Sequence, residues 1–113
     1  MPGLRNWNGV NQGSLAPLLD AATIVVDATV AQCFVVTLGG NRILGLPTGG
    51  VVGSEYEFII KQDGTGSRLL TYATGWLFPG GAPTATTTAS AIDVIRAWTD
   101  GTSWYGVMSK AYA

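Results

Sequence analysis

The chain contains no histidine and a single cysteine. Without histidine there is no Ser–His or Cys–His nucleophile pair, and the commonest general base and metal ligand are missing. A zinc site would have to be built from Cys33 and carboxylates alone. Cys33 lies inside the apolar run Gln32-Cys33-Phe34-Val35-Val36, where a thiol acts as a small hydrophobe, and it cannot form an internal disulfide. Folding without disulfides is compatible with a reducing cytoplasm. Charge is also scarce: charged residues make up 12% of the chain, about half the usual share. The six basic residues are scattered, net charge is −1, and no basic run exists to neutralise phosphates, which excludes ordinary nucleic-acid binding. No apolar run approaches the ~20 residues of a membrane-spanning helix, so no membrane insertion is expected. The first residues lack the basic-then-apolar order of a secretory signal.

What is present is apolar and β-branched. The 113 residues suit one domain. Hydrophobic residues make up 47%, and mean hydropathy is +0.29. So little charge for so much apolar mass implies that part of the surface is covered in the working state, as in an oligomer or assembly.

Residues 1–22 are rich in Asn, Gly and Pro and show no period of 2 or 3.6. They read as an extended N-terminal arm whose Leu4, Trp7, Leu15, Leu18 and Leu19 dock on a partner surface or a neighbouring subunit. Residues 23–113 read as a single β domain. Strands are expected over 23–27, 31–38, 42–46, 55–61, 68–73, 92–99 and 104–112, several with clean alternation. In 55–61, for example, Tyr56, Phe58 and Ile60 oppose Glu55, Glu57 and Lys61. The Gln62-Asp63-Gly64-Thr65-Gly66-Ser67 stretch predicts a β-hairpin joining 55–61 to 68–73. Asp100-Gly101-Thr102-Ser103 predicts another. Residues 75–83 suit a short edge strand and a tight turn because of Pro79 and Pro83. The expected fold is all-β, a small β-sandwich or jelly-roll-like barrel of about seven to eight strands.

No constellation for catalysis emerges. Glu55 and Glu57 share a strand face but read as solvated, and Asp63-Gly64-Thr65-Gly66 is followed by no helix that would complete a phosphate site. The chain is expected to be no enzyme and to need no cofactor and no metal. Trp98 and Trp104, flanking the second turn, read as anchors of the fold or of a subunit interface, which the resemblance given below makes a trimer interface. Trp76 and Phe78 are the aromatics that could face a glycan.

Several segments together resemble a recurrent module of tailed-phage virion proteins. They are Phe34-Val35-Val36-Thr37-Leu38 with Gly40-Asn41-Arg42, Gly45-Leu46-Pro47, the Ile60-to-Arg68 stretch, Phe78-Pro79-Gly80-Gly81-Ala82-Pro83-Thr84, and Asp100-Gly101-Thr102 with Trp104. The match runs from about Ala31 to the C-terminus. Proteins similar to this occur as capsid decoration or head-fibre proteins and as terminal domains of tail fibres. The resemblance implies a β-rich homotrimer with no catalytic residues. It further implies a decoration (cement) protein that is made in the host bacterial cytoplasm and binds the major capsid protein on the outer capsid surface of the virion. Its other form implies a receptor-binding domain joined to a tail-fibre shaft and recognising host glycans. The chain departs from the fibre versions in being short, with no collagen-like repeat, heptad or β-helix repeat upstream of the matched stretch.

Overall fold

The computed structural model describes residues 15–113, which form nine strands and no helix. In chain order they are β1 (Ala16–Pro17), β2 (Thr23–Ile24), β3 (Cys33–Leu38), β4 (Arg42–Leu44), β5 (Glu55–Gln62), β6 (Leu70–Tyr72), β7 (Trp76–Leu77), β8 (Ile92–Thr99) and β9 (Trp104–Tyr112). The all-β reading holds, and β5, β8 and β9 fall close to their expected bounds.

The connectivity differs from a sandwich or jelly roll. β1, β3 and β5 pair in parallel in one sheet, and β2, β4 and β6 pair in parallel in another. Each of β1–β2, β3–β4 and β5–β6 is thus one turn of a coil that visits both sheets, and three turns stack like a short solenoid. β8 then runs antiparallel along β5, β9 returns along β8, and β7 joins the far edge of β9. The result is a six-stranded sheet ordered β1-β3-β5-β8-β9-β7, facing a three-stranded sheet ordered β2-β4-β6.

The expected hairpin between 55–61 and 68–73 is therefore a corner: β5 and β6 lie in different sheets and never pair. The local chemistry fits a turn all the same. The Asp63 carboxylate accepts hydrogen bonds from the Thr65 and Gly66 amides at 3.1 and 3.0 Å and pairs with Arg68 at 2.9 Å. Gly66 has φ 74°, and a Cβ there would sit 2.7 Å from Thr87 O, so no larger residue fits. Buried Gln62 completes the corner. Its side-chain amide donates to Arg68 O at 2.9 Å and its carbonyl accepts from Arg68 N at 3.0 Å, as a strand neighbour would. Corners are also tied between turns. Asp20 accepts from Arg42 Nε at 2.7 Å and from Gly39 N at 3.0 Å, and Asn41 Oδ1 accepts from Leu69 N at 3.0 Å. The Asn41-Arg42 and Asp63-to-Arg68 motifs thus act as structural corner pieces. The Asp100–Ser103 turn does form the expected hairpin, between β8 and β9.

Part of the expected arm belongs to the domain. β1 pairs with β3, Leu18 N donates to Val35 O at 2.8 Å, and Asp20 anchors a corner. The domain therefore begins at or before Ala16, not at residue 23, because backbone amides and a carboxylate in this stretch find partners on the next turn.

Inward positions of both sheets build one core. Phe34, Val36 and Leu38 of β3, Tyr56, Phe58 and Ile60 of β5, and Ile95 and Ala97 of β8 face Ile24, Leu44 and Leu70. Phe34 and Phe58 stack at 5.3 Å, and Trp104 meets Tyr56 edge-on at 5.1 Å. Gly50 makes room for that indole, since a Cβ on it would lie 2.5 Å from the Trp104 ring. Each large side chain buried this way contributes ~1.5–3 kcal/mol.

Candidate interaction surfaces

The outward face of the six-stranded sheet is the broadest candidate surface. In register across it, Pro17, Val35, Ile59 and Val94 form an apolar row, each on a different strand. The next row holds Cys33, Glu57, Arg96 and Val107. Here Arg96 Nε meets Glu57 Oε2 at 3.1 Å with both side chains well exposed, so the pair adds little stability. The Cys33 thiol lies 4.0 Å from Glu57 Oε1. Partial burial, and secondarily the Glu57 charge, push it above the ordinary thiol range, so it is a poor nucleophile.

The third row ends in an aromatic corner. Trp98 and Tyr105 are cross-strand partners stacked at 6.2 Å with rings 15° from parallel, and Leu77 is next to Tyr105 on β7. Trp98 is 41% exposed, Leu77 48% and Val107 43%, an unusual concentration of open apolar surface. A hollow of about 280 Å³ opens here between Trp98, Tyr105, Val107 and Pro79. Tyr105 is held by its hydroxyl, which donates to Asp100 Oδ2 at 2.7 Å. Asp100 also accepts from the Ser103 and Thr102 amides at 2.8 and 2.9 Å. These bonds, that from Ser103 foremost, hold its carboxyl down at about 2.

A second concavity, of about 770 Å³, runs between β6 and the segment 81–85, with Trp76 and Phe78 in its wall. Trp76 is buried: its Nε1 donates to Gly45 O at 3.1 Å, and its ring stacks on Phe78 at 5.6 Å. The expected glycan-facing pair is therefore a core residue with half-buried Phe78 laid over it. An internal carbonyl satisfies the indole N–H, leaving it nothing to offer a sugar. Tyr72 closes the same cluster at 4.6 Å from Phe78 and donates its hydroxyl to Pro83 O at 3.1 Å. Burial, with the Asp93 charge second, raises its phenol far above the ordinary value.

The remaining residues singled out from the sequence separate by place. Trp104 is buried in the core, whereas Trp98, expected to share its role, stands on the open face. Leu18 packs half-buried against the core, and Leu15 and Leu19 are exposed. Leu4 and Trp7 lie outside the described residues. Among the described residues no group of three or more His, Cys, Asp or Glu converges. No helix there is long and apolar enough to cross a membrane. Ile59 interrupts the polar face of Glu55, Glu57 and Lys61, and Val94 reads from the sequence as buried; only the strand order aligns both with Val35 on the outward face. Comparison with protein families, with curated proteins and with solved structures returned no match.

Proposed function

We propose that the chain is a structural virion protein of a tailed bacteriophage. In this reading it is a capsid decoration protein that assembles as a homotrimer, binds the major capsid protein on the outer capsid surface and performs no catalysis. The observation that carries the reading is the apolar and aromatic surface on one side of the six-stranded sheet, interrupted by the exposed Glu57–Arg96 pair. The row Pro17, Val35, Ile59 and Val94 and the corner formed by Leu77, Trp98, Tyr105 and Val107 share that side. Trp and Tyr, which stand exposed at its corner, are among the residue types that dominate binding energy at protein interfaces. A 113-residue domain with 12% charged residues has little else with which to hydrate this surface. The motif resemblance, from Phe34 to Trp104, supplies the virion context and the three-fold state.

The test is the mass in dilute solution, expected at three times 11.7 kDa, together with the location of the protein on intact particles. Density at capsid three-fold or quasi-three-fold positions supports the reading. A stable monomer at micromolar concentration that is absent from the shell refutes it. A second reading, a tail-fibre receptor-binding domain, is favoured by the exposed, near-parallel Trp98–Tyr105 pair, since pyranose rings stack on exposed aromatic faces. In that case the protein is found at fibre tips, and Trp98→Ala abolishes glycan binding while leaving the mass unchanged.

A further inference from the structure

We propose that the open edge of β6 is a strand-docking site and that its occupant is the N-terminal segment of this chain, residues 1–14. The site is defined by backbone groups that the fold leaves over. β6 is bonded to β4 on one side, through Arg42 N to Leu69 O at 2.9 Å and Ala73 N to Leu44 O at 3.0 Å. In a parallel ladder the amides and carbonyls of the intervening residues, Leu70 and Tyr72, point to the opposite side. Among the described residues β6 ends the three-stranded sheet and no strand stands on its other side. Among the described residues no hydrogen bond reaches those four groups. They are not on an open surface. The Leu70 residue is only 6% exposed, and the Tyr72 residue is half-buried. Unpaired backbone groups in such a place are uncommon in folded proteins.

The two sheets differ in this respect. β8 covers the edge of β5, so the third coil turn is closed on the large sheet and open on the small one. The open side faces the groove of about 770 Å³ lined by Leu70, Tyr72, Trp76, Phe78, Pro83 and Ala85. Two donors and two acceptors at strand spacing, beside a wide apolar trough, suit an extended peptide carrying one large apolar side chain.

Residues 1–14 match that description. No proline lies between residues 3 and 14, so every amide there is a donor. Asn6-Trp7-Asn8 alternates polar, apolar and polar, which turns the indole to the trough and both amides to water when the backbone is extended. Fourteen extended residues span at most ~46–50 Å. Trp7 lies eight residues before Leu15, a reach of at most ~26–29 Å. β1 and β6 are separated by two coil turns and one sheet-to-sheet spacing, about 10 Å each, so Trp7 reaches β6. This inference concerns the edge of the small sheet and does not depend on the chain being a virion protein.

The test uses amide hydrogen exchange on the full-length chain. The Leu70 and Tyr72 amides are expected to be protected ~100-fold or more over an unstructured peptide. Trp7→Phe is expected to keep that protection. Trp7→Asp is expected to lower it at least tenfold at these two positions while the Phe58 and Ile95 amides stay unchanged. Unprotected Leu70 and Tyr72 amides in the full-length chain overturn the proposal. So does protection that is equal in the wild type and Trp7→Asp, because something other than this segment then covers the edge.

Discussion

Asp93→Asn is expected to destabilise the protein far more than a one-atom exchange suggests. Asp93 is 1% exposed on β8, and its side chain bonds to two backbone amides from different places. Oδ2 accepts from Thr86 N at 2.6 Å, and Oδ1 accepts from Ala111 N at 2.8 Å. The first bond fastens the threonine-rich segment, which belongs to no strand. The second holds β9 where the β8–β9 register shifts. Asparagine keeps one acceptor and turns an NH2 toward the other amide, so one bond becomes a donor–donor contact. A hydrogen bond to a charged acceptor is worth ~1.5–3 kcal/mol net, and a buried unsatisfied donor costs ~1–3 kcal/mol. The asparagine turns its carbonyl to half-buried Thr86 N and its NH2 to exposed Ala111 N, so the Thr86 bond loses its charged acceptor and the Ala111 bond is lost outright. The expected total is ~2–4 kcal/mol, a fall in melting temperature of at least ~8 °C for a domain of this size. Calorimetry gives the total, and amide exchange locates it, with Thr86 accelerated more than Phe58. A variant that melts within ~2 °C of the wild type refutes the clamp.

Trp104→Ala is expected to cost ~3–5 kcal/mol in chemical denaturation. Trp98→Ala is expected to leave monomer stability within ~1 kcal/mol but to weaken self-association. Equal effects of the two on stability would contradict the assignment of one to the core and the other to the open face. Four carboxylates are held below their ordinary value in the folded state. In Asp63 the Arg68 guanidinium is the main cause and brings it to about 2, and in Asp100 the Ser103 amide does the same. Asp20 is lowered chiefly by Arg42, and Asp27 by Thr29. A depressed folded pKa means stability that is present above the unfolded value, 3.8, and is lost as pH falls toward about 2. With no histidine in the chain, the melting temperature is expected to be flat over about pH 5–8 and to fall between about pH 4 and 2. A melting temperature that holds to pH 2 contradicts these ion pairs and caps.

The individual strands were legible because each carries its own alternation. Phe34, Val36 and Leu38, and likewise Tyr56, Phe58 and Ile60, point inward as their spacing requires. Their partners were not. Asp63 and Gly66 specify a reversal of the chain, but the same chemistry serves a hairpin and a corner. What decides between them is distant: Asn41 on the preceding turn takes the Leu69 amide, and Thr87 occupies the space beside Gly66. The aromatic sites were exchanged for a similar reason. Trp76 lies in a Pro- and Gly-rich stretch that looks like surface, yet the Gly45 carbonyl, 31 residues away, accepts its indole N–H and keeps it inside. Trp98 sits in a well-patterned strand that looks like core, yet it falls on the outward register opposite Tyr105.

The order of the strands also bears on how the protein reaches its fold. The parallel turns pair residues distant in sequence, such as Phe34 with Phe58, and each pairing must close a long loop before any contact rewards it. The β8–β9 pair needs only the Asp100–Ser103 turn, and hairpins form in ~1–10 μs. β5 can dock on that hairpin, and β3 and then β1 can add to β5. The coil is therefore expected to wind from its last turn to its first, against the direction of synthesis. φ-values should be high in β8 and β9 and fall toward β1 and β2. On the ribosome, the large sheet lacks its template until residues 92–112 have emerged, so the early turns wait unpaired for β8 and β9.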